Sequence, residues 1–487
     1  MNRQVVLLTG ASGSMGFEAF QLLWKKRDQY KIVLFLRPSA KNKKGFQKYE
    51  GEDLKIVWGD VQNREDVIKA CRGIDWCLHT MALISPEADR RPEMAHVVNA
   101  QGTQYLVEAI EAEAPDRIKF VYIGSVAEYG DRLPPVHVGR TGDPILPSIF
   151  DYYAISKING ELTVMESKIR CRVSMRQTFI MIPGLFSLMD PIMFHQPIHS
   201  FMENITGRDA GRLLVKCLDM EEDSSFWGGY YNISGGPLCR TTFLEFLDTI
   251  YRMLGIDYRK VMDRNWFALK NFHMQFYEDS GKLNEYLHHW EGGYTMEDFF
   301  NAVWKKLPWY LKATAWSTKH IPPYKWLVQK ITKGQLKKLC NKPDGTQYWI
   351  RHGEKAKINA FYGSLEKYKA IPGWEGELPS LDQNQPHQRL NHGYDETKEV
   401  LELDDLQKAA EFRGGLLTSD SWTGAMDEKL SWHCCQGHAF KLTPHSVLKG
   451  GHWCLDCIAP PWNYDAFLDK NRFASQVVNP VIAPSEQ

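Results

Sequence analysis

Three residues in the N-terminal half carry side chains that could exchange a proton with a substrate oxygen. Ser125 closes the apolar run that begins at Ile118, and Tyr153 and Lys157 open the next helical pattern. Residues four apart share one face of a helix, so the tyrosine hydroxyl and the lysine ammonium are expected to lie side by side. A neighbouring ammonium would lower the pKa of the tyrosine, which could then relay a proton near neutral pH. We therefore predict that Ser125, Tyr153 and Lys157 are catalytic.

A glycine-rich turn follows the first apolar strand of the chain. The sequence TGASGSMG has the spacing G-x-x-G-x-x-G, directly after QVVLLT and directly before an amphipathic helix. Glycines allow a tight turn and a close approach to a pyrophosphate, which the free N–H groups of the helix N-terminus favour. The turn predicts a dinucleotide site formed by Thr9, Gly10, Ser12, Gly13, Ser14, Met15 and Gly16.

Short apolar strands alternate with helical patterns over the first 180 residues. This alternation is typical of an α/β fold with a doubly wound parallel sheet and right-handed crossovers. After the first strand, the predicted strands are Ile32–Leu36, Lys55–Trp58, Ile74–His79, Ile118–Ile123 and Cys171–Thr178, and the predicted helices are Ser14–Lys26, Val67–Cys71, Glu93–Ala114 and Tyr153–Lys168.

Together these motifs resemble the extended short-chain dehydrogenase/reductase family, the NAD-dependent epimerase/dehydratase group. Further matches are GD at 59–60, HTMA at 79–82, Asn99 with Gly102-Thr103, and Pro183-Gly184, with weaker ones to about residue 300. The resemblance implies a Rossmann-type sheet with a small substrate subdomain. It also implies that Tyr153 is the acid/base, that Lys157 holds the nicotinamide ribose and that Ser125 polarises the substrate oxygen. By the same resemblance, the other cofactor contacts are Asp60 and Val61 at the adenine, Met81 and Ala82 at the pyrophosphate and ribose, and Pro183 at the nicotinamide.

The choice of nicotinamide cofactor depends on the residue that ends the second strand. An acidic residue roughly twenty positions after the glycine turn would favour NAD. Arg37 occupies that place, followed by Lys41, Lys43 and Lys44. A guanidinium can bind a 2′-phosphate through two hydrogen bonds, so we predict NADP, with NAD as the alternative.

Two departures from the resembled family bear on the reaction. Residues 124–128 (GSVAE) lack the Thr-Asp-Glu pattern that the dehydratases carry at this point. The stretch between Gly184 and Asn204 is short and apolar, which suits a hydrophobic carbonyl compound better than a nucleoside diphosphate. We predict reversible hydride transfer between NADP(H) and a carbonyl/alcohol pair. A nucleotide-sugar epimerase with tightly bound NAD is the alternative, and a non-catalytic NADP-sensing or scaffold protein is a second one.

Two histidines in that apolar stretch, His195 and His199, could contact a ligand, although histidines in such a position are more often structural.

Two pairs of metal-ligating residues lie near the C-terminus. Cys434 and His438 form one pair, and Cys454 and Cys457 form the second after a gap of fifteen residues. This spacing fits tetrahedral zinc, and the segment resembles zinc-ribbon modules with the pattern W-x-C-x-x-G-H … W-C-x-x-C. Four protein ligands leave no open position, so the predicted zinc is structural. Cys435 could replace Cys434 as a ligand.

Length and charge limit the remaining possibilities. The chain has 487 residues, with 59 Lys+Arg against 59 Asp+Glu. That length predicts two or three domains. The motifs divide the chain into an enzyme domain at 1–305, an unassigned region at 306–400 and a zinc module at 401–487. The zero net charge argues against nucleic acid as a partner. No apolar run approaches the length of about eighteen residues that a membrane span needs, so we expect a cytoplasmic protein without a membrane partner. The family resemblance also implies a homodimer that forms through the helices at 93–113 and 151–168.

The unassigned region begins with a basic, tryptophan-rich stretch. Residues 307–338 interleave lysines with aromatic residues, a pattern that can stack on bases or anchor at a membrane surface. Pro308, Pro322 and Pro323 interrupt any long amphipathic helix, so an aromatic layer packed on the enzyme domain is the expected role. The polar stretch from Pro372 to Glu399 is predicted to be a linker.

Overall fold

The computed structural model describes residues 3–184, 189–290, 293, 295–462 and 464–479. Its strands, in chain order, are β1 Gln4–Thr9, β2 Tyr30–Leu36, β3 Leu54–Trp58, β4 Trp76–His79, β5 Lys119–Ser125, β6 Val138–Gly139, β7 Arg172–Gln177, β8 Ile180–Met181, β9 Phe201–Glu203, β10 Ile205–Thr206, β11 Tyr230–Ile233, β12 Arg240–Thr242, β13 Phe276–Tyr277, β14 Leu416–Leu417, β15 Leu430–His433 and β16 Ala439–Leu442.

The helices, in the same order, are α1 Ser14–Lys25, α2 Ala40–Phe46, α3 Arg64–Cys71, α4 Glu87–Arg90, α5 Pro92–Ala95, α6 Gly102–Glu113, α7 Tyr152–Met165, α8 Gly207–Lys216, α9 Phe243–Met253, α10 Tyr258–Val261, α11 Ser280–Leu287, α12 Met296–Lys306, α13 Trp309–His320, α14 Pro322–Cys340, α15 Thr346–His352, α16 Lys355–Tyr362, α17 Leu365–Lys369, α18 Leu403–Phe412, α19 Pro444–Leu448, α20 Leu455–Ile458, α21 Tyr464–Leu468 and α22 Arg472–Val478. A π-helical segment, His96–Gln101, joins α5 to α6.

Seven strands form one parallel sheet in the order β11-β7-β5-β4-β1-β2-β3. The strand order reverses between β1 and β4, and in such sheets ligands bind at the carboxyl ends of the strands beside this reversal. The register pairs Thr9 with Phe35 on one side and with His79 on the other. The predicted α/β fold with a doubly wound parallel sheet is confirmed.

Apolar side chains cover both faces of this sheet. Helix α1 buries Met15, Ala19, Phe20 and Leu23 on one face, where α8 packs against it. The other face carries a separate cluster in which α3 and α6 pack on the strands. Full burial of each large apolar side chain contributes roughly 1.5–3 kcal/mol, so these two layers hold the strand ends in fixed positions.

A smaller subdomain follows β7. Its helix α9 starts with a capping box in which Thr242 and Glu245 satisfy each other's backbone N–H groups. The apolar face of α9 packs with α12 and with the end of α14 in one cluster. Helix α14, which lies outside the predicted enzyme domain, thus helps to build the core of this subdomain.

The expectation that the tryptophans of residues 307–338 pack on the enzyme domain is wrong. Trp309, Trp316 and Trp326 are 79%, 59% and 62% exposed. Their helices are held instead by small or aliphatic residues of the opposite faces, among them Ala315 on α13 and Leu336 on α14.

Residues 370–402 contain no helix or strand, and they lie against the folded body. Trp374 donates a hydrogen bond from its indole N–H to the carbonyl of Met262 at 2.7 Å. His392 is buried and contacts the Asp143 carboxylate at 2.9 Å. The predicted linker is therefore anchored along its length.

The C-terminal module packs directly on the enzyme domain. Trp432, Val447 and Leu448 share one apolar cluster with Ile158 and Leu162 of α7. At Gly451, where φ is +76°, a Cβ would lie 2.0 Å from the carbonyl oxygen of Asp143. Only glycine allows this close contact between the two parts of the chain.

Candidate active site and metal centre

The glycine turn lies at the carboxyl end of β1, where the strand order reverses. Gly10 has φ +75°, and a Cβ there would lie 2.8 Å from the Met81 nitrogen. A Cβ on Gly16 would lie 2.2 Å from the carbonyl oxygen of Gly10. Among the described residues no side chain caps the N-terminus of α1. The turn therefore leaves the helix N–H groups available to an anion, as predicted for Ser12, Gly13, Ser14 and Met15.

A buried histidine ties the turn to the neighbouring strand. His79 lies 2.8 Å from the Thr9 hydroxyl through Nδ1 and 3.0 Å from the Thr103 hydroxyl through Nε2. Burial lowers the pKa of His79 to about 3, so its ring is neutral. Thr80 donates a hydrogen bond to the Thr9 carbonyl at 2.8 Å. The chain leaving β4, which includes the predicted contacts Met81 and Ala82, is thereby held beside the turn.

The predicted adenine contacts lie at the same end of the sheet. Arg37 directly follows β2, two residues after the partner of Thr9, and its side chain is exposed. In the described part of the chain its guanidinium has no acidic partner. Val61 is buried against Gly102, while Asp60 accepts a hydrogen bond from the Gln62 nitrogen at 3.0 Å. Arg37 and the pair Asp60-Val61 therefore lie at the carboxyl ends of the neighbouring strands β2 and β3.

Pro183, the predicted nicotinamide contact, is exposed just after β8. It stands two residues after Met181, which pairs with Thr206 of β10.

Ser125, Tyr153 and Lys157 meet behind the ends of β4 and β5. Ser125 ends β5, and its side chain interacts with the Tyr153 phenol and lowers the pKa of that phenol. Asp151 caps α7, and the Asp89 carboxylate accepts a hydrogen bond from the Tyr153 nitrogen at 3.2 Å. Lys157 is buried, with its ammonium 4.1 Å from the centre of the Tyr122 ring. The three residues predicted to be catalytic are thus assembled at one place.

The pKa of Tyr153 does not follow the expectation from the sequence. Burial raises this pKa above its usual value, and the interaction with Ser125 only partly offsets the effect. Burial also lowers the pKa of Lys157 to about 8, against the attraction of Glu128 and Glu161. The expected lowering fails because desolvation of the phenol dominates and the carboxylates of Glu128, Asp151 and Asp89 raise its pKa further.

A cluster of buried charged residues contacts the backbone of Ser125. The sequence motifs did not indicate this cluster. Arg176 donates two hydrogen bonds to the Glu161 carboxylate, at 3.2 and 3.1 Å, and lies 3.4 Å from Glu128. Glu128 in turn accepts a hydrogen bond from the Ser125 nitrogen at 2.8 Å. Burial and the neighbouring Glu161 raise the pKa of Glu128. Burial alone would raise the pKa of Glu161 as well, but the Arg176 charge lowers it.

The C-terminal module completes this cluster. The carbonyl oxygen of Gly450 accepts a hydrogen bond from Arg176 at 2.7 Å, and His452 lies 3.7 Å from the Glu161 carboxylate. A distant part of the chain therefore contacts the residues directly beneath the candidate catalytic serine.

A cleft opens beside the N-terminus of α7. Its polar lining includes Asp89, Arg90 and Lys357 and the pair formed by His273 and Asp151, whose Nδ1–Oδ2 distance is 2.8 Å. Burial and the neighbouring Asp151 raise the pKa of Asp89 to about 7. The apolar wall of the cleft is formed by Phe150, Trp349 and Phe361. Trp349, Lys357 and Phe361 come from the region that the sequence left unassigned.

Of the two histidines in the apolar stretch, only His195 lines this cleft. Its ring lies 4.8 Å from the Trp349 ring, and Nε2 contacts the Asp344 carbonyl at 2.7 Å. Burial lowers the pKa of both His195 and His199 to about 4. Both rings are therefore neutral at pH 7.

The ligand atoms of Cys434, His438, Cys454 and Cys457 all lie within 4.8 Å of one another. His438 Nδ1 is 3.4 Å from Cys434 Sγ and 3.5 Å from Cys457 Sγ, and the two sulfurs are 3.5 Å apart. These are the edges expected of a tetrahedron with metal–sulfur bonds of about 2.3 Å and a metal–nitrogen bond of about 2.0 Å. The Cys435 sulfur lies outside this group, 3.8 Å from the Phe467 carbonyl. The four predicted residues could hold a metal ion.

A seven-stranded parallel sheet with a glycine turn at its strand reversal defines a Rossmann domain of the dinucleotide-binding type. Residues 6–177 match the family model described as the NAD dependent epimerase/dehydratase family. The N-terminal part of the chain is therefore similar to this family, as the sequence motifs indicated.

Two staphylococcal proteins are among the relatives of this chain. An uncharacterized epimerase/dehydratase of Staphylococcus epidermidis is 26% identical over 287 residues, which cover 54% of this chain and 86% of that protein. One of Staphylococcus aureus is 27% identical over 184 residues, which cover 37% of this chain and 53% of that protein. The chain thus spans only about half the length of the latter relative.

Among solved structures, the chain is similar to DesIV, a dTDP-glucose 4,6-dehydratase of Streptomyces venezuelae with NAD and TYD bound. The TM-score is 0.51 at 18% identity, and the match covers 64% of this chain and 98% of that one. This likeness concerns the fold alone.

Proposed function

We propose that the protein is an NADP-dependent oxidoreductase that interconverts a carbonyl compound and its alcohol. The observation that carries the proposal is that Ser125, at the end of β5, interacts with Tyr153 of α7, whose N-cap residue Asp151 lines the cleft. A hydroxyl pair in this position can bind one substrate oxygen from two sides.

The residues around the turn fit a dinucleotide. The glycines would let the pyrophosphate approach the backbone, and α1 would direct its N–H groups at it. Arg37 would bind a 2′-phosphate, and for this reason we propose NADP rather than NAD. When bound, the cofactor supplies or accepts the hydride.

Tyr153 is suited to donate a proton. Because burial raises its pKa, the phenol is protonated at pH 7 and can protonate the oxygen of a carbonyl as it becomes an alcohol. Ser125 orients the same oxygen through its hydroxyl. Lys157, whose pKa is lowered to about 8, retains enough ammonium character to hold a ribose hydroxyl. The structure therefore favours reduction at neutral pH.

The cleft indicates the kind of substrate. Its aromatic wall would cover an apolar body, while Arg90 and Lys357 would contact a polar or anionic end. Asp89, with a pKa near 7, can either donate or accept a hydrogen bond there.

The Cys/His group is proposed to hold zinc in a structural role. Its four ligands would complete the coordination of the ion and fix the loop that carries Gly450 and His452 against Arg176.

A nucleotide-sugar epimerase with tightly bound NAD is the second candidate, because the named relatives are epimerases or dehydratases. Such an enzyme would retain NAD through gel filtration and would act without added cofactor. The reductase would instead oxidise added NADPH when ketones or aldehydes are supplied. If the protein bound NADP without turning over any carbonyl compound or UDP-sugar, it would be a sensor or scaffold.

A further inference from the structure

Two helices outside the catalytic machinery expose an unusual set of side chains. We use the term Trp–Lys face for a group of exposed side chains on these helices. It consists of Trp309 and Trp316 of α13 and of Trp326, Leu327, Ile331, Lys330, Lys337 and Lys338 of α14. Eight of the sixteen large apolar side chains that are exposed among the described residues lie between positions 309 and 331. This concentration sets the segment apart from the rest of the surface.

The spacing places these side chains on outward faces. Trp309 and Trp316 are seven residues apart, which is close to two turns of a helix. On α14, Trp326 and Lys330 are four apart and in contact, with the ammonium 4.8 Å from the centre of the indole ring. Leu327 and Ile331 repeat the same interval.

The opposite faces fix both helices to the protein. Ala315 and Thr318 of α13 are buried, and the helix packs on Gly255, where a Cβ would lie 3.0 Å from the Ala315 carbonyl. Leu336 and Leu339 of α14 are buried in the core of the subdomain, and Lys333 pairs with Asp263 at 2.8 Å. The exposure of the tryptophans therefore belongs to the folded arrangement.

Apart from its histidine, the charged side chains of this segment are all lysines. Residues 299–343 contain ten lysines and not one Asp, Glu or Arg, in a chain whose total charge is zero. Apart from Lys333, none of these lysines has an acidic partner among the described residues. Seven of the ten are exposed, including Lys330, Lys337 and Lys338.

We propose that the Trp–Lys face docks on an anionic membrane surface. Indole rings favour the boundary between headgroups and acyl chains, and lysines add attraction to anionic lipid. No helix in the described part of the chain is long and apolar enough to cross a membrane, so the contact would be interfacial. The face would hold the enzyme domain at the lipid surface.

The composition favours lipid over other occupants. A nucleic-acid surface would use arginine, which is absent from residues 299–343, and would gain little from exposed Leu327 and Ile331. A second copy of the same face would bring two sets of lysines together, and like charges disfavour that contact.

Vesicle co-sedimentation of the full chain tests the proposal. The wild-type protein should bind phosphatidylcholine vesicles that contain about 30% phosphatidylserine and should not bind pure phosphatidylcholine. Because the attraction between the lysines and the anionic lipid is electrostatic, about 0.5 M salt should release most of the bound protein from the vesicles. Substituting all three tryptophans with glutamine (W309Q/W316Q/W326Q) should weaken binding about ten-fold.

The lysine contribution is measured separately. Each lysine near the surface strengthens binding about five-fold, so K330Q/K337Q/K338Q should lose roughly a hundred-fold. The matched control, K25Q/K367Q/K369Q, removes the same charge from exposed positions elsewhere and should bind like the wild type. V400Q/V478Q serves as the control for exposed apolar residues.

Folding is checked by the melting temperature, which should be unchanged because all substituted side chains are exposed. No binding to anionic vesicles, or equal binding by the wild type and the tryptophan variant, would overturn the proposal. So would a dimer that only the tryptophan variant disrupts, since it would assign the face to a second copy.

Discussion

Arg176 carries a buried charge at the centre of the cluster behind Ser125, and replacing it by methionine should be severely destabilising. The guanidinium is fully buried and lies 3.1 Å from the Glu161 carboxylate, 2.9 Å from the Tyr129 hydroxyl and 2.7 Å from the Gly450 carbonyl. Arg176→Met leaves Glu161 and Glu128 in the interior without the guanidinium that pairs with them. Removing one partner of a buried ion pair costs roughly 3–5 kcal/mol, which we expect as the loss in the free energy of unfolding.

Urea denaturation of the full chain measures this loss, and a second variant identifies its cause. If the uncompensated carboxylate dominates, R176M/E161Q should be more stable than R176M alone, although it carries one more substitution. Arg170 pairs with Glu222 on the surface, so Arg170→Met should change the stability by only about 0–1 kcal/mol.

The pH dependence provides an independent check. In the wild type the pKa of Glu161 is depressed, so its contribution to stability is present above the unfolded pKa of about 4.3 and is lost only in stronger acid. In R176M, burial without the cation should raise that pKa, so the deficit grows as the pH rises above about 4.3. A deficit equal at about pH 4 and pH 7, or a double variant as unstable as the sum of the singles, would refute the argument.

Three further substitutions test the proposed site. Tyr153→Phe removes the proton donor and should reduce the turnover number about 10²- to 10⁴-fold while NADPH binding, followed by fluorescence, is retained. Arg37→Ala removes a charge-assisted contact of about 1.5–3 kcal/mol, so the Kd for NADPH should rise about 10- to 150-fold and that for NADH should stay constant. Cys454→Ser removes one metal ligand, so the zinc content by elemental analysis should fall below that of the wild type, with a lower melting temperature.

Each of these variants has a matched control. Tyr152→Phe changes the neighbouring phenol and should leave turnover intact, and Lys31→Ala removes an exposed charge far from the turn. Cys435→Ser alters the sulfur that lies outside the Cys/His group and should keep the metal. Full turnover by Tyr153→Phe, parallel losses of NADPH and NADH affinity in Arg37→Ala, or wild-type zinc in Cys454→Ser would contradict the corresponding role.

Local patterns accounted for most of the enzyme domain. The glycine turn, the alternation of apolar strands with helices, and the Tyr153–Lys157 interval each depend on residues close in sequence. Such signals survive without knowledge of the fold, because helix periodicity and strand burial are local properties. The Cys/His pairs were found for the same reason, since two short motifs carry all four ligands.

Other features arise only when distant segments meet. Glu128, Glu161, Arg176 and His452 look like ordinary polar residues in the sequence, and only packing places them in one buried cluster. The sign of the Tyr153 pKa shift depends on burial, which spacing does not reveal. The wall of the cleft also depends on tertiary structure, because residues 349–361 reach it from a distant part of the chain.

The sequence by itself determined the fold class of the N-terminal domain, its glycine turn and the ligands of the candidate metal centre, because each depends on a short stretch of chain. Tertiary structure alone decided that the C-terminal module contacts the base of the candidate active site. It also decided that the tryptophans of α13 and α14 face outwards. Exposure and long-range contact depend on the whole chain folding around its cores, as where Ala315 of α13 packs against Gly255 while the tryptophans of the same helix face outwards.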